Sequence, residues 1–221
     1  MEKKNTLILT IVAIATLLVA VIGATFAFFT AQGNNNINTA AFTANSEGGT
    51  SSFSGLFNKT DVGFDIALTE MLENASATTP DSTGKIDNVG LNVTLISANA
   101  NTTTTCTFNV VYTWNGTKNT YSGGSYYYKK SSGLASTDKE FTYQVTGSSN
   151  VGETQFADAG TAAVTLLSGA SISTNNATTG ISKNYTFTFR FYNFGNKNQN
   201  DQKGKKFSGQ LSLTNPVCTY A

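Results

Sequence analysis

Histidine is absent from all 221 residues of this chain. Its absence excludes Ser-His-Asp and Cys-His nucleophilic catalysis, and every zinc site that draws on imidazole, the His-Glu-x-x-His helix of metallopeptidases included. Cysteine occurs twice, at Cys106 and Cys218, and two thiols so far apart cannot by themselves complete a structural zinc site. Proline also occurs only twice, and charged residues make up just 12% of the chain. The 14 basic and 13 acidic side chains include no clustered basic surface of the kind that phosphate binding requires. Lys129-Lys130 and the stretch 203–206 are too short to supply one, so nucleic acid is not an expected partner.

What is present begins with an export segment. Lys3 and Lys4 form a positive n-region, residues 7–22 an apolar h-region, and Thr25-Phe26-Ala27 a small-x-small signal, which places signal-peptidase cleavage between Ala27 and Phe28. An uncleaved anchor competes with this reading, because residues 7–29 also hold about the 20 largely apolar residues that a membrane-spanning helix needs. A type IV pilin leader is disfavoured, since no Gly precedes the apolar run and no Glu stands at its fifth position. In each case Lys3 and Lys4 hold the N-terminus inside, and everything after residue 30 lies outside. Signal peptidase is thus the expected processing partner, and membrane contact is confined to residues 7–29 if that segment is retained. Loss of residues 1–27 removes Lys3, Lys4 and Glu2, leaving twelve side chains of each sign. Soluble monomers usually keep clear of neutrality, so this balance permits a chain that packs against copies of itself.

The mature length suits one core, giving a domain over residues 39–221 behind an extended arm, 28–38. Its filler is Asn, Thr, Ser and Gly, which suits strands joined by polar loops. Residues 39–44 read as a first strand and 46–54 as a Gly/Ser-rich break. Phe64, Leu68, Met71 and Leu72 recur at helical intervals behind a possible cap at Asp61, which predicts one short helix over 64–72. Residues 74–85 read as a loop. Thereafter the period is two. Val89, Leu91, Val93 and Leu95 alternate with polar residues, as do Cys106, Phe108, Val110 and Tyr112 leading to Trp114, before an Asn115-Gly116 turn signal. Further strands are expected at 126–130, 141–145 and 162–167. The clearest is 185–192, where Tyr185, Phe187, Phe189 and Phe191 make one face a strip of rings. Residues 207–213 are expected to pair with it across the polar loop 195–206 as a terminal hairpin. About eight strands at these spacings predict an all-β, antiparallel β-sandwich.

Several constellations could carry chemistry. Cys106 and Cys218 both meet an oxidising exterior, where closing a loop of more than 100 residues contributes about 4 kcal/mol; two separately buried thiols are the alternative. Seven Asn-x-Ser/Thr sequons occur, about the number that this composition produces by chance, so they carry no evidence of glycosylation. Asn196, Asn198, Asn200 and Asp201 offer oxygen ligands for Ca²⁺, but the loop lacks the positional pattern of a calcium site and four lysines crowd it; a solvated loop is favoured. No metal or cofactor is expected. The enzymatic route left open is a carboxylate pair, and the eleven acidic residues between Asp61 and Asp201 show no spacing that distinguishes one. Tyr126, Tyr127 and Tyr128, beside Lys129 and Lys130, could form a sugar-binding or adhesive patch. The alternative is an outer strand with tyrosines on both faces, its edge guarded by the lysines.

Two segments resemble known proteins. Gly23-Ala24-Thr25-Phe26-Ala27-Phe28-Phe29-Thr30, followed by Asn38-Thr39-Ala40-Ala41-Phe42-Thr43-Ala44, resembles the start of the TasA/camelysin family of exported matrix proteins. The stretch from Lys183-Asn184-Tyr185 through Asn198-Gln199-Asn200 to Phe207-Ser208-Gly209 is similar to the closing hairpin of small surface proteins with such leaders. The resemblance implies a jelly-roll-like sandwich that polymerises by donor-strand exchange, the mature N-terminus of one subunit completing a sheet of the next. The metallopeptidase label that camelysins carry is not transferred, because the histidines it suggests are missing. Phe28, Phe29, Ala31 and Ile37 are the expected donor-strand contacts. Residues 28–38 reach about 35 Å when extended, and each phenylalanine contributes about 1.5–3 kcal/mol if buried in a neighbour. Asn34-Asn35-Asn36 is poor strand material, and a flexible stalk is the competing account of the arm. The expectation is an exported, non-enzymatic, homopolymeric subunit of the cell surface or of a biofilm matrix. The alternative is a membrane-tethered monomeric module presenting its tyrosines to a glycan or host ligand.

Overall fold

The computed structural model describes residues 39–46, 49–65 and 86–221. The expected cleavage site at Ala27 and Phe28, the anchor 7–29, the donor contacts Phe28, Phe29, Ala31 and Ile37, and most of the expected helix lie outside the described residues. Among those described, twelve strands and a single 3-10 turn at Asn200–Gln202 make the fold all-β. One sheet has six strands in the order β1 (Thr39–Ser46), β2 (Gly49–Phe57), β4 (Ile86–Ile96), β11 (Ile181–Phe191), β8 (Phe141–Gly147) and β9 (Val151–Gln155). A second has four, β10 (Ala163–Thr174), β5 (Thr104–Trp114), β12 (Lys206–Tyr220) and β3 (Asp61–Asp65). The hairpin β6 (Asn119–Tyr121) and β7 (Gly124–Tyr126) stands apart from both. All the pairings are antiparallel.

The period of two works out as the sequence implies. Val89, Leu91, Val93 and Leu95 on β4, Phe108, Val110 and Tyr112 on β5, and Tyr185, Phe187, Phe189 and Phe191 on β11 are all buried. They meet between the two sheets: Phe53 of β2 lies 5.6 Å from Phe108, and Tyr112 lies 5.5 Å from Phe189. The alternate positions of β5 and β12, such as Thr105, Thr107, Ser212 and Thr219, face outward. Cys106 and Cys218 stand opposite each other in the β5–β12 register and are joined as a disulfide, with their Cα atoms 4.0 Å apart.

Three expectations are corrected. Asp61 and Phe64 belong to β3, where they pair with Gln210 and Phe207, so no helix starts there. Phe64 turns its ring edge-on to Phe141 at 5.7 Å, and burial against a second sheet overrides the local helical spacing. The Gly/Ser-rich stretch 46–54 is not a break, because Gly49–Phe57 is a strand paired on both sides. Most important, β11 and β12 do not form a hairpin, although they are joined by only a loop. β11 takes its ladder partners from β4 and β8, whereas β12 takes its own from β5 and β3. The two strands stack ring on ring across the layers instead, with Phe191 and Phe207 5.6 Å apart and nearly parallel. A strip of four rings needs an opposing apolar layer, and neighbours within one sheet cannot supply it.

The connections leave the molecule polarised. Residues 97–103, 148–150 and 175–180, at one end, contain no charged residue. The opposite end carries the loops 115–118, 127–140 and 192–205, which hold most of the lysines.

Candidate functional site

Glu140, immediately before β8, is fully buried. Five donors converge on its carboxylate: the Ser131 hydroxyl (2.6 Å) and Gln199 Nε2 (2.7 Å) on Oε1, and the Tyr128 hydroxyl (3.0 Å), Ser131 N (3.0 Å) and Gln202 Nε2 (3.2 Å) on Oε2. Gln155 braces the cluster by accepting from Glu140 N and donating to the Tyr128 hydroxyl. Burial pushes the Glu140 carboxyl above its ordinary range in spite of these donors, because leaving water disfavours the charged form. Gln199 and Gln202 lie on the loop that was expected to be solvated. They are buried, and they knot that loop to the segment 128–140. Two of the four side chains that suggested calcium are engaged by the protein itself, since Asp201 accepts from Ser132 N and Oγ (both 2.8 Å) and Asn198 accepts from Asn200 N (2.9 Å). Among the described residues, no group of three acidic or cysteine side chains could hold a metal ion.

The tyrosine run divides between core and surface. Tyr128 bridges to Ala159 and packs its buried ring against Phe141 (5.4 Å) and Phe207 (5.7 Å), so it belongs to the core and not to a surface patch. Tyr126 and Tyr127 remain half-exposed. The expected strand over 126–130 ends at Tyr126, because the chain turns there to deliver Tyr128 inward. Lys130 Nζ folds onto the carbonyls of Ala135 and Ser136, and Lys129 Nζ onto that of Ser122. Neither caps an open strand edge. Half-exposed Tyr121 joins the surface group, 6.2 Å from Tyr126. Lysines lie over these rings: Lys118 over Tyr127 (5.4 Å), Lys129 over Tyr126 (5.2 Å) and Lys205 over Tyr121 (4.8 Å).

A recess of about 350 Å³ opens nearby, lined by Thr137, Asp138, Lys139, Glu153, Tyr192 and Phe194. It brings two carboxylates together. The Lys197 ammonium, 2.6 Å from Asp138, holds that carboxyl below its ordinary range. Burial raises Glu153, but donation from Thr142 and Tyr192 and the nearby Arg190 guanidinium outweigh it and leave this carboxyl lowered as well. Glycoside hydrolysis needs one carboxyl kept protonated as the acid. Both of these carboxyls are held toward the charged form.

No family model matches the chain, and no curated protein matches it. The site therefore rests on its geometry. Sequence reasoning reached Tyr126, Tyr127 and the cysteine pair, but it missed Tyr121, Lys118, Lys205 and the Glu140 cluster. Tyr121 is separated from Tyr126 by a Ser-Gly-Gly-Ser turn, which is itself the hairpin signal that could have joined them. Gln199 and Gln202 gave no signal, because a buried glutamine in a polar loop looks the same as a solvated one.

Proposed function

We propose that the chain is an exported, non-enzymatic structural subunit of the cell surface or extracellular matrix, polymerising through its mature N-terminal arm. The observation that supports this reading is an incomplete strand edge. β3 covers β12 only from Lys206 to Gln210, and Leu211 N then reaches the Thr60 carbonyl at 2.9 Å. Beyond that point, residues 212–220 have no ladder partner on this side among the described residues. These nine residues span about 30 Å, close to the reach of residues 28–38, with a break at Asn215-Pro216 where the register shifts, and backbone pairing along an edge needs little side-chain specificity. Beyond Lys206, the outward positions of β12, like those of β5, are hydroxyl- and amide-bearing or apolar, so residues 212–220 present no charge that would oppose close approach of copies. The likeness of the leader and first strand to the TasA/camelysin proteins supports the same reading, with its jelly-roll-like winding and biofilm-matrix role. The likeness placed on a closing hairpin does not, because β11 and β12 lie in different sheets.

Deleting residues 28–38 from the mature chain is expected to leave a folded monomer that forms no fibres by electron microscopy. A synthetic peptide of residues 28–38 added to that monomer is expected to perturb the amide resonances of residues 212–220. Unchanged fibres after the deletion would reject the mechanism. Intact mass of the native surface protein tests the tethered alternative: a chain beginning at Phe28 supports the free arm, and one retaining Met1 supports the anchor.

A further inference from the structure

We propose that the shelf formed by Tyr121, Tyr126 and Tyr127 with Lys118, Lys129 and Lys205 binds an anionic polysaccharide of the uronic acid type. The shelf sits on the β6–β7 hairpin, which belongs to neither sheet and contributes no fully buried side chain. A two-stranded hairpin of three residues a side has little stability of its own. Several hydrogen bonds nevertheless hold it in place: Tyr121 Oη to Gln202 Oε1 (3.2 Å), Asn119 Nδ2 to the Lys206 carbonyl (3.1 Å), Lys129 Nζ to the Ser122 carbonyl (2.8 Å) and Lys205 Nζ to the Thr120 carbonyl (2.6 Å). Two of the three ammonium groups are thereby fixed beside tyrosine rings before any ligand arrives. Among the described residues, none of the three forms an ion pair with a carboxylate. Asp201 lies within electrostatic reach of Lys129 and Lys205 and offsets part of their charge, whereas Lys118 is exposed.

Rings that each carry a lysine over one face suit a ligand with both apolar C–H groups and anionic groups, since the sugar packs against the uncovered part of a ring and a carboxylate meets the lysine there. The exposed Ser122 and Ser125 at the hairpin turn add hydroxyls for the sugar. Nucleic acid, the other polyanion such a patch could meet, is separated from the polysaccharide by the duplex probe below. Assembly through the arm is not required for this binding.

Titration of the full-length chain in mild detergent with polygalacturonate tests the assignment, with dextran and a duplex oligonucleotide as comparison probes. Polygalacturonate is expected to bind, with affinity falling as salt is raised. The triple variant K118A/K129A/K205A is expected to lose at least tenfold, Lys183→Ala on the neutral half to change affinity less than twofold, and Tyr127→Ala to weaken both salt-dependent and residual binding. The chemical denaturation midpoint checks that each variant remains folded, and K118E alone repeats the test at an exposed side chain if the triple variant does not fold. Equal affinity for dextran, preference for the duplex, or unchanged binding in the lysine variants would overturn the proposal.

Discussion

At the residue scale, consecutive tyrosines have opposite duties. The Tyr128 hydroxyl joins Glu140 to Gln155 inside the protein, whereas those of Tyr126 and Tyr127 lie on half-exposed side chains. Tyr128→Phe is therefore expected to cost about 1–2 kcal/mol in chemical denaturation, and Tyr127→Phe close to nothing. Glu140→Ala strands several buried donors at once and is expected to cost about 3–5 kcal/mol. The pH dependence follows from the directions of the shifts. Glu140 is raised, so its contribution is complete below the ordinary carboxylate pKa of 4.5 and declines as pH rises through its folded value. Asp138, Asp201 and Glu153 are lowered, so their contributions are present above the ordinary range and vanish as pH falls through their folded values. Removing the Lys197 partner with Lys197→Ala should shrink the stability lost on acidification, measured as melting temperature between neutral pH and pH 3. No change in that loss would mean that the Lys197–Asp138 contact has no role in solution.

At the element scale, β12 bears the most constraints. It is stapled to β5 by Cys106–Cys218, and its Gly209 lies against the Tyr112 ring, where a Cβ would collide with the ring atoms. Gly209→Ala is expected to cost about 1–3 kcal/mol through overpacking. The disulfide closes a sequence separation of 112 residues, and its reduction is expected to cost about 4 kcal/mol, read as a lower denaturation midpoint with reductant present. An unshifted midpoint would show that the cross-link adds nothing to the stability of the fold. The alternation of β4, β5 and β11 was legible in the sequence, because a strand's period of two is a local property. Their partners were not. A ladder accepts almost any sequence, so the choice between a β11–β12 hairpin and stacking across layers depends on where four rings find an opposing apolar surface. Phe64 was misread for a related reason: four apolar residues at helical spacing outweigh a five-residue strand until that strand's neighbour is known.

At the scale of the whole molecule, charge separates one end from the other while both layers share one core. The two proposed activities then respond differently to salt. Fibre assembly along a neutral, hydroxyl-rich edge is expected to persist at high ionic strength, whereas polysaccharide binding at the lysine shelf should weaken as screening shortens the reach of exposed charges. Turbidity and binding measured over the same salt series separate the two, and a parallel loss of both would place assembly under electrostatic control. Of the candidate site, Tyr126 and Tyr127 could be picked out from the sequence as a cluster beside lysines. Tyr121 stands across the Ser-Gly-Gly-Ser turn from Tyr126 and was within reach of the same signal, whereas Lys205 comes from a distant segment that meets the rings only when the hairpin docks on residues 200–206.

The amino-acid sequence by itself determined the all-β class, the buried face of each long strand, the absence of histidine chemistry and the near-balance of charge. Those properties follow from residue type and local period. Only the tertiary structure decided which sheet each strand joins, that Glu140 is buried among donors, that Tyr128 turns inward, and that Cys106 meets Cys218. Each of these depends on segments distant in the chain competing for the same apolar surface and hydrogen-bond partners, and no local pattern encodes the outcome of that competition.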